Sequence, residues 1–311
     1  MHVAIAIVGF RNAGDIVACL HALESSEHTD FEVVICENGG AAAFDALQAA
    51  LPARLGGGQP VRIIMAEGNV GYAGGVNRAM AAAPDADAWW VLNPDTEAEP
   101  GALGACVRRL QQGDCEAVGC TIYLDDGSVQ SDGGHWQWML GRAESLGRGR
   151  PAAEAGFRPA IEGRQNFISG ACALVGREFL RVVGPMREDY FLYCEEVEWF
   201  LRGEPLGMRL GFAPDARVRH HAGSTTGSAA AFREMPRTPV YLNERNRILL
   251  TRDRRPALLW IVTPAAALVI LARYGRRRAW AQLGYAFSGW FAGIRGRRGR
   301  PSWIPLTASG G

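Results

Sequence analysis

Short apolar runs alternate with helix-like segments through the first third of the chain. The apolar runs at residues 3–10, 31–36, 61–66 and 88–93 are typical of strands that are buried on both faces. The helix-like segments between them lie near residues 15–23, 41–51 and 73–83. This alternation predicts an α/β fold with a mainly parallel sheet, right-handed crossovers, and ligands at the carboxyl ends of the strands.

The pattern becomes less regular after Pro100. Residues 102–112 indicate a helix, residues 117–123 a strand, and the sequence LDDGSV at 124–129 a hairpin turn. Residues 141–165 are rich in Gly, Arg, Pro and Ala and show no strong period. We therefore expect a mobile loop there, close to the substrate.

The run YFLYCEEVEWFLR at residues 190–202 places three glutamates among aromatic and aliphatic residues. In a helix, Glu195 and Glu198 share one face, while Glu196 points elsewhere. Like charges beside aromatic surface cost free energy, so the carboxylates need solvent, a cation or a reacting group. A helix with one solvated face is the alternative interpretation.

Composition allows a large core, because 48% of the 311 residues are hydrophobic. The seven cysteines are scattered and form no CxxC pair, which favours a reducing compartment and argues against a disulfide framework or a cysteine zinc site. Residues 2–10 lack a basic leader, so we expect no N-terminal signal sequence.

The C-terminal part of the chain has a different character. Residues 251–311 contain eleven arginines and one acidic residue. The uncharged stretch 257–272 is shorter than the roughly 20 residues that span a bilayer, and Pro264 interrupts it. Tryptophan-containing apolar stretches flanked by arginine clusters predict helices that lie in the interface of an anionic membrane. The alternative is a helix pair that forms an oligomer.

A glycine-dense segment, GNVGYAGGVNRAM at residues 68–80, lies between a predicted strand and a helix. Glycines there let the backbone approach a ligand and leave N–H groups free for an anion. The spacing matches neither the dinucleotide nor the Walker pattern, so an ordinary turn is the alternative.

Polar residues follow two of the predicted strands. After the second, Glu37 or Asn38 could bind a base or ribose, or form an ordinary turn. After the fourth, Asn93, Asp95 and Glu97 could hold Mg²⁺ or Mn²⁺ against a diphosphate. A simple Asn-Pro-Asp turn is the alternative for the second group.

A histidine pair occurs in VRHHAGSTTG at residues 218–227. One of the two could ligate a metal or contact a phosphate. Adjacent side chains in extended backbone point apart, so at most one is expected to act, and a solvated loop is the alternative.

The order of these motifs resembles the family 2 inverting glycosyltransferases of GT-A fold, within them the bacterial rhamnosyltransferase-like branch. The resemblance covers roughly residues 3–250. The matching stretches are IAIVGFRNAGDIVACLHAL, VVICENGG, GNVGYAGGVNRAM, WWVLNPDTEAEPGAL, FISGACALVGREFLRVVGPMREDYFLYCEEVEWFLR, VRHHAGSTTG and YLNERNRILL.

The resemblance implies a GT-A domain at 1–250, with a nucleotide-binding half at 1–115 and an acceptor half at 116–250, followed by an Arg-rich amphipathic helical tail at 251–311. It implies transfer of a sugar, rhamnose from dTDP-rhamnose, to a glycan or polyprenyl-diphosphate-linked acceptor, with Mg²⁺ or Mn²⁺. We expect a cytoplasmic protein at the inner face of the membrane, with no nucleic-acid partner. A homo-oligomer is a further expectation.

The resemblance also assigns roles to individual residues. Those expected at the nucleotide are Gly9, Phe10, Arg11, Glu37, Asn38, Gly71, Gly74, Asn77 and Asn93. Asp95 corresponds to the last acid of the DxD-type metal motif, Asn93 replaces the first acid, and His220 corresponds to the histidine near the diphosphate. Those expected at the sugar or acceptor are Gly170, Trp199 and Arg245, the last within an Arg-Asn pair.

The ED pair of the family falls on Glu195 and Glu196, and Glu196 stands where the catalytic Asp is expected. The longer side chain moves the carboxylate by about one C–C bond, a displacement to which catalysis is sensitive. Two other interpretations remain at this point. The fold could be a non-catalytic sugar-binding scaffold, or, less favoured because GFRNAG lacks the glycine fingerprint, a dehydrogenase.

Overall fold

The computed structural model describes residues 1–221 and 231–306. The strands are β1 (Val3–Gly9), β2 (Phe31–Glu37), β3 (Val61–Met65), β4 (Ala88–Leu92), β5 (Thr96–Ala98), β6 (Ala117–Tyr123), β7 (Val129–Ser131), β8 (Gly133–Gln137), β9 (Arg142–Leu146), β10 (Cys172–Gly176) and β11 (Leu210–His220). The helices are α1 (Ala13–Glu24), α2 (Ala41–Ala50), α3 (Gly71–Ala81), α4 (Ala102–Leu110), α5 (Arg158–Glu162), α6 (Arg177–Val183), α7 (Glu195–Gly203), α8 (Arg237–Arg254), α9 (Leu259–Ile270) and α10 (Trp280–Ile294).

One large sheet has the order β3-β2-β1-β4-β10-β6-β11-β5, with β7 paired to β6. Strands β1 to β4 are parallel, as predicted, whereas β10 lies antiparallel between β4 and β6. The predicted helix at 102–112, strand at 117–123 and hairpin turn at 124–129 are confirmed. The prediction of a mainly parallel α/β sheet is therefore confirmed for the first half of the chain.

Helices cover both faces of this sheet. Alternate residues of β1 point to opposite sides, so that Ile5 packs in one core with α1 and α4, and Ala6 packs in another with α3 and α7. Both cores are apolar because each parallel strand is buried on both faces. The polar strand ends are consequently the place where this architecture leaves room for a ligand.

The expectation of a mobile loop without regular structure at residues 141–165 is wrong. The segment contains strand β9, which pairs antiparallel with β8, and the short helix α5. Gly141 and Gly147 adopt positive φ angles of 53° and 71°, which glycine tolerates, at the two ends of β9. The glycines that obscured the period in the sequence therefore delimit a hairpin strand.

Helix α8 crosses the boundary at residue 250 that the sequence suggested, and α10 packs closely along it. A Cβ added to Gly289 would lie 2.2 Å from the Tyr241 carbonyl oxygen, and one at Gly293 would lie 2.7 Å from the Arg245 carbonyl oxygen. Small residues on α10 thus permit close approach of the two helix backbones. The C-terminal helices are packed onto the rest of the protein rather than extending away from it.

The apolar stretch in α9 is longer than the sequence suggested. Helical structure is continuous over the 20 residues Pro256–Gly275, and Pro264 does not interrupt it. Its most apolar window has a mean hydropathy of 1.8, and 22% of that window is buried in the protein. By length and composition alone, this is the one helix in the described ranges that could cross a membrane.

The chain after α10 returns to contact Asp189, Asp253 and Asn69. Arg298 forms ion pairs with Asp189 and Asp253, and the Gly299 N–H donates to the Asp189 carbonyl at 2.6 Å. The Leu306 carbonyl accepts a hydrogen bond of 2.6 Å from the N–H of Asn69, in the glycine-dense segment. The C-terminal segment therefore braces the elements that surround the candidate site.

Candidate active site

The carboxyl ends of β1 and β2 lie side by side. Gly9 is the strand partner of Glu37, and the Asn38 N–H donates to the Gly9 carbonyl at 2.8 Å. A Cβ on Gly9 would lie 2.3 Å from the Glu37 carboxylate, so a larger residue there would displace that carboxylate. The structure thus brings three of the predicted nucleotide-binding residues together.

Glu37 is almost fully buried, with 1% of its surface exposed. One of its oxygens accepts from the N–H of Gly39 at 2.7 Å and from the N–H of Arg11 at 3.2 Å. Burial raises the pKa of Glu37, and the two N–H donors oppose that rise. This carboxylate orders the loops after both strands, while the neighbouring Phe10 side chain remains exposed to a ligand.

The glycine-dense segment leads into α3, as expected from the sequence. Gly71 has a φ of +77°, and a Cβ there would lie 2.1 Å from the Phe191 carbonyl oxygen. The Tyr72 N–H donates to that same carbonyl at 2.8 Å. The Asn38 amide donates to the Gly71 carbonyl at 2.8 Å, and Asn38 Oδ1 is a buried acceptor without a donor in the described ranges. Asn38 therefore holds the loop after β2 against the start of α3.

Gly74 and Asn77 do not face this group. Both lie in α3, where Gly74 packs against Val70. The Asn77 side chain exchanges hydrogen bonds with the backbone of Met186, at 2.9 and 3.0 Å, and donates to Glu188. These bonds hold α3 against the segment that precedes α7, and a nucleotide contact of Gly74 or Asn77 stays a prediction.

Asp95 and His220 lie together where β5 meets β11. His220 Nε2 is 3.2 Å from an Asp95 oxygen, and His220 Nδ1 is 2.8 Å from Gln130 Oε1. Both Asp95 and His220 are less than 9% exposed. The sequence placed these two residues in one site although 125 positions separate them, and the structure brings them together.

Glu97 lies in a different environment from Asp95. It pairs with Arg219, its partner in the strand ladder, and lies 2.9 Å from His221 Nε2. These contacts lower the pKa of Glu97 and raise that of His221. The second histidine of the pair therefore belongs to this ion-pair network, and residues 224 and 225 lie outside the described ranges.

A turn without glycine precedes the glutamate-rich helix. The sequence predicted a helix over residues 190–202, but α7 begins at Glu195. Phe191, Tyr193 and Cys194 have positive φ angles of 70°, 71° and 65°. Non-glycine residues rarely adopt this conformation, which costs roughly 1–2 kcal/mol per residue. Strain of this kind persists only where surrounding contacts hold it.

Two residues of α8 hold this turn. The Asn246 amide nitrogen lies 3.0, 2.8 and 2.7 Å from the carbonyl oxygens of Tyr190, Leu192 and Tyr193. Arg245 donates to the Tyr190 carbonyl at 2.7 Å and is 1% exposed. Its expected contact with the sugar or acceptor is corrected, because the guanidinium is buried against backbone.

The three glutamates of α7 have three environments. Glu198 is fully buried and lies 3.2 Å from Arg202, which compensates its charge. Glu195 is 2% exposed, and burial followed by the charge of Glu196 raises its pKa well above the ordinary value. Glu196 is half-buried, and burial raises its pKa while the N–H groups at the helix start oppose the rise. Of the three glutamates, Glu196 is thus the one whose side chain is partly exposed to solvent.

Tyr72 links the separate parts of the site. Its hydroxyl donates to the Gly170 carbonyl at 2.6 Å, and a Cβ on Gly170 would lie 3.2 Å from Glu196 Cγ. Burial raises the pKa of Tyr72, and the charges of Glu195, Glu196 and Asp95 raise it further. All three carboxylates therefore lie within electrostatic range of one hydroxyl.

A second path joins Glu196 to the end of β4. The Asn93 N–H donates to the Ala171 carbonyl at 3.0 Å, next to Gly170. This bond extends the pairing of β4 with β10, in which Leu92 is opposite Cys172. Asn93, Gly170 and Glu196 are consequently neighbours, and Asp95 follows Asn93 by two residues.

Trp199 lies in the core and not in the site. It is fully buried, packs edge-on against Phe179 with ring centroids 5.1 Å apart, and donates to the Gly184 carbonyl at 2.7 Å. We correct the expected sugar contact to a packing role. The residue occurs on the buried face of α7, which the sequence alone did not distinguish from the open face.

Three further residues organise the site, namely Tyr72, Gln130 and Asn246. No role was assigned to the first two from the sequence, and Asn246 was identified only as part of the Arg-Asn pair. The Tyr72 position in the glycine-dense segment was a usable signal, and Asn246 lay in a quoted motif without an assigned contact. Gln130 gave no signal, because only the β6–β7 hairpin brings it to His220.

This arrangement combines chemically distinct groups. Anchored backbone loops lie at the ends of β1 and β2, a carboxylate and an imidazole lie near β5, and a half-buried carboxylate lies beyond Gly170. A site of this kind can hold a nucleotide at one end and deprotonate a hydroxyl at the other.

Comparison with known families identifies the catalytic class. Residues 5–184 match the model of glycosyl transferase family 2. The chain is 28% identical over 239 residues to an N-acetylglucosaminyl-diphospho-decaprenol L-rhamnosyltransferase of Mycobacterium tuberculosis, covering 67% of this chain and 74% of that protein. It is 22% identical over 197 residues to the low-salt glycan biosynthesis hexosyltransferase Agl10 of Haloferax volcanii, covering 62% and 61%.

Solved structures share the fold. GalNAc-T7, crystallised with UDP, GalNAc and Mn²⁺, superposes with a TM-score of 0.57 at 14% identity, over 71% of this chain and 44% of that one. The mannosyltransferase PcManGT of Pyrobaculum calidifontis, in complex with GDP-Man and Mn²⁺, gives 0.54 at 14% identity over 94% and 87%. S. aureus TarS 1–349 with UDP-GlcNAc gives 0.52 at 12% identity over 96% and 93%.

These neighbours are GT-A glycosyltransferases, so the predicted GT-A fold is confirmed. The family match covers more than half of the chain and includes β1, the glycine-dense segment and Asp95. The chain belongs to glycosyl transferase family 2.

Proposed function

We propose that this glycosyltransferase transfers a sugar from a nucleoside-diphosphate donor to an acceptor hydroxyl with inversion at the anomeric carbon, using Glu196 as the general base. The observation that carries the proposal is the position of Glu196 beside Gly170, whose carbonyl accepts from the Tyr72 hydroxyl, while the Asn93 N–H, two residues before Asp95, bonds to the next carbonyl at Ala171. In one in-line displacement the acceptor oxygen forms the new bond, the nucleoside diphosphate leaves, and the acceptor proton passes to Glu196.

The environments of Glu195 and Glu196 support this assignment. Glu195 is deeply buried, and its pKa is raised well above the ordinary value by burial and by the charge of its neighbour. Burial also raises the pKa of Glu196, but N–H groups at the helix start favour its ionised form. The surroundings of the pair therefore favour a proton on Glu195 and leave Glu196, beside Gly170, as the candidate base.

The raised pKa of Glu196 predicts the pH dependence of turnover. A general base acts only when deprotonated, so the rate falls as the pH drops through its pKa. Because burial raises that pKa above the ordinary 4.5, the acid limb of kcat is expected at a pH above 4.5. A profile of kcat against pH measures this limb. A limb at or below 4.5 would contradict the assignment.

The residues near β5 fit a divalent metal. If His220 Nδ1 donates to Gln130 Oε1, the neutral ring presents an acceptor at Nε2 to the Asp95 carboxylate 3.2 Å away. Two acceptors this close need a proton or a cation between them. Neighbouring ligands of an octahedral ion at about 2.1 Å are roughly 3 Å apart, which matches this separation.

We infer that Asp95 and His220 would hold Mg²⁺ or Mn²⁺, with the donor diphosphate supplying further oxygen ligands. In the described ranges, no cluster of three or more His, Cys, Asp or Glu side chains stands ready to bind a metal alone. When bound, the ion would neutralise charge that develops on the leaving diphosphate. Asn38 and the loops at Gly9 and Gly71 would orient the nucleoside at the other end.

Asp95→Asn is expected to weaken metal-dependent nucleotide binding by about tenfold or more, because a neutral amide is a poorer ligand for a hard cation. Calorimetric titration of nucleoside diphosphate with Mn²⁺ measures the change. Glu97→Gln is the matched control, since Glu97 pairs with Arg219 instead. Equal nucleotide affinity for wild type with Mn²⁺ and with EDTA would contradict the metal assignment.

The donor and acceptor follow from the relatives by analogy. We propose dTDP-rhamnose as donor and a polyprenyl-diphosphate-linked glycan as acceptor, because one relative is named as a rhamnosyltransferase acting on a diphospho-decaprenol. The apolar helix Pro256–Gly275 supports attachment to the cytoplasmic face of the membrane, where such an acceptor is available. An oligomer is not needed for this chemistry.

Transfer from a panel of UDP-, dTDP- and GDP-sugars to a polyprenyl-diphosphate-linked acceptor tests the proposed function, with the product anomer assigned by NMR. The expected result is a product of inverted configuration from dTDP-rhamnose. Retention of configuration would contradict the single displacement. Binding of a nucleotide sugar without transfer to any acceptor would favour a non-catalytic scaffold.

A further inference from the structure

A cavity of about 160 Å³ lies between α8, α10 and the C-terminal segment, apart from the site described above. The residues that line it are Arg237, Tyr241, Ser288, Phe291, Ala292, Arg295, Arg297 and Trp303. Three of these side chains are arginines, and none is acidic. A cavity with such a lining carries a concentrated positive charge.

The three cavity arginines, Arg237, Arg295 and Arg297, differ from others nearby in having no carboxylate partner. Arg298 and Arg187 both pair with Asp253, whereas no ion pair involves any of the three among residues 1–221 and 231–306. All three are exposed at the surface. Like charges around one cavity repel unless an anion joins them, and guanidinium groups match phosphate oxygens in geometry.

Aromatic side chains position two of these arginines. The Arg237 guanidinium lies 3.6 Å from the centroid of the Trp303 ring, and the Arg295 guanidinium lies 3.9 Å from that of Phe291. Trp303 in turn packs edge-on against the buried Tyr241, with centroids 4.6 Å apart. Trp303 Nε1 is a buried donor with no acceptor in the part of the chain that the structure describes. Stacking on these rings therefore holds two of the arginines in place at the cavity.

The cavity lies between the catalytic turn and an apolar surface. Tyr241 and Ala292 form one cluster with Phe191, in the strained turn before Glu195 and Glu196. On its outer side, Phe291 is 46% exposed. Helix α9, which α10 contacts through a hydrogen bond from Trp290 to the Thr263 carbonyl, exposes 88% of Trp260. The cavity thus lies between the turn that leads to Glu196 on one side and the exposed apolar residues of α9 and α10 on the other.

We propose that the cavity binds the diphosphate of a lipid-diphosphate-linked acceptor. The lipid would continue along the apolar surface of α9 and α10, and the sugar would extend past the turn to Glu196. This inference rests on the acceptor class in the proposed function. It assigns the acceptor diphosphate to this cavity, whereas the donor diphosphate binds at Asp95. The exposed guanidinium groups of Arg237, Arg295 and Arg297 would donate to the diphosphate oxygens.

The test compares a double variant, Arg295→Gln with Arg297→Gln, against a control, Arg276→Gln with Arg278→Gln. Each double variant removes two exposed arginines from the C-terminal region. Both variants therefore lose the same amount of positive charge, and with it the same general attraction to anionic surfaces. Calorimetry measures the binding of farnesyl diphosphate and of inorganic diphosphate. EDTA is present, so that the metal-dependent donor site does not contribute.

We expect the cavity variant to bind farnesyl diphosphate about tenfold more weakly than wild type, the scale of losing charge-assisted hydrogen bonds, while the control binds within about twofold of wild type. Equal weakening in both variants would overturn the proposal, because bulk charge would then explain it. Inorganic diphosphate that binds as tightly as farnesyl diphosphate would overturn the lipid assignment.

A kinetic arm separates this proposal from the proposed function. The KM for a lipid-diphosphate acceptor should rise about tenfold in the cavity variant, while the KM for an acceptor with the same sugar on a neutral alkyl chain should not change. Suppose that neither the wild type nor any variant transfers sugar, but the cavity variant still binds farnesyl diphosphate more weakly than wild type. The proposed function then fails, and the diphosphate site stands. Transfer with unchanged binding and KM in the cavity variant would overturn the site alone.

Discussion

Replacing Glu196 with glutamine is expected to lower kcat by about a hundredfold or more while leaving the affinity for the nucleotide unchanged. The amide keeps the size of the side chain but cannot accept the acceptor proton, and loss of a general base costs about this much. Single-turnover transfer kinetics and a nucleotide titration measure the two quantities. The residual activity should also lose the acid limb of its pH profile.

Glu195→Gln is the matched control for this experiment, since it makes the same chemical change one residue earlier. Glu195 is 2% exposed and its raised pKa favours the protonated form, which an amide resembles. We expect a loss of kcat much smaller than that of Glu196→Gln. An equal or greater loss from Glu195→Gln, with an active Glu196→Gln, would reverse the assignment of the base.

Replacing Asn246 with leucine is expected to destabilise the fold by about 2–4 kcal/mol, since it leaves the carbonyls of Leu192 and Tyr193 without their donor. The loss should exceed that of a simple hydrogen bond because the turn is strained, with positive φ at Phe191 and Tyr193. Urea unfolding measures the free energy difference. Activity should fall further than the folded fraction does, since this turn leads into Glu196.

Asn243→Leu provides the control on the same helix. Asn243 is exposed, and within residues 1–221 and 231–306 its amide donates to the Pro239 carbonyl one turn earlier and to no other group. Its replacement is expected to change the free energy of unfolding by less than about 1 kcal/mol. If Asn246→Leu and Asn243→Leu prove equally stable and equally active, then α8 does not hold the catalytic turn.

The fold of the first half followed from local pattern. Strands β1 to β4 were predictable because both faces are buried, which gives continuous apolar runs, and the helices between them gave the parallel order. The antiparallel insertion of β10 between β4 and β6 was not predictable, because a pairing partner distant in sequence leaves no periodic signal.

The site was predictable where the resemblance to the family assigned a residue. It placed both Asp95 and His220 at the donor diphosphate, and the structure brings them within 3.2 Å. Trp199 and Arg245 were assigned wrongly because aromatic and cationic side chains serve equally well in cores, and burial is set by tertiary packing. The strained turn at Phe191 gave no signal either, since it contains no glycine.

The C-terminal helices show the same limit. Composition identified an arginine-rich apolar segment, but not that Gly289 and Gly293 let α10 pack against α8. Nor did it indicate that Leu306 returns to Asn69. We therefore expect deletion of residues 251–311 to unfold the protein rather than only to release it from a membrane, because Arg298 and Gly299 brace Asp189.

The account depends on a donor whose diphosphate lies at Asp95 and whose sugar faces Glu196. Anomalous diffraction at the manganese edge, from crystals grown with Mn²⁺ and a non-hydrolysable nucleotide sugar, measures both positions at once. The account predicts a manganese peak between Asp95 and His220, with the sugar next to Gly170 and its anomeric carbon turned towards the Glu196 carboxylate. A metal bound elsewhere, or a sugar on the far side of Gly170 from Glu196, would contradict it.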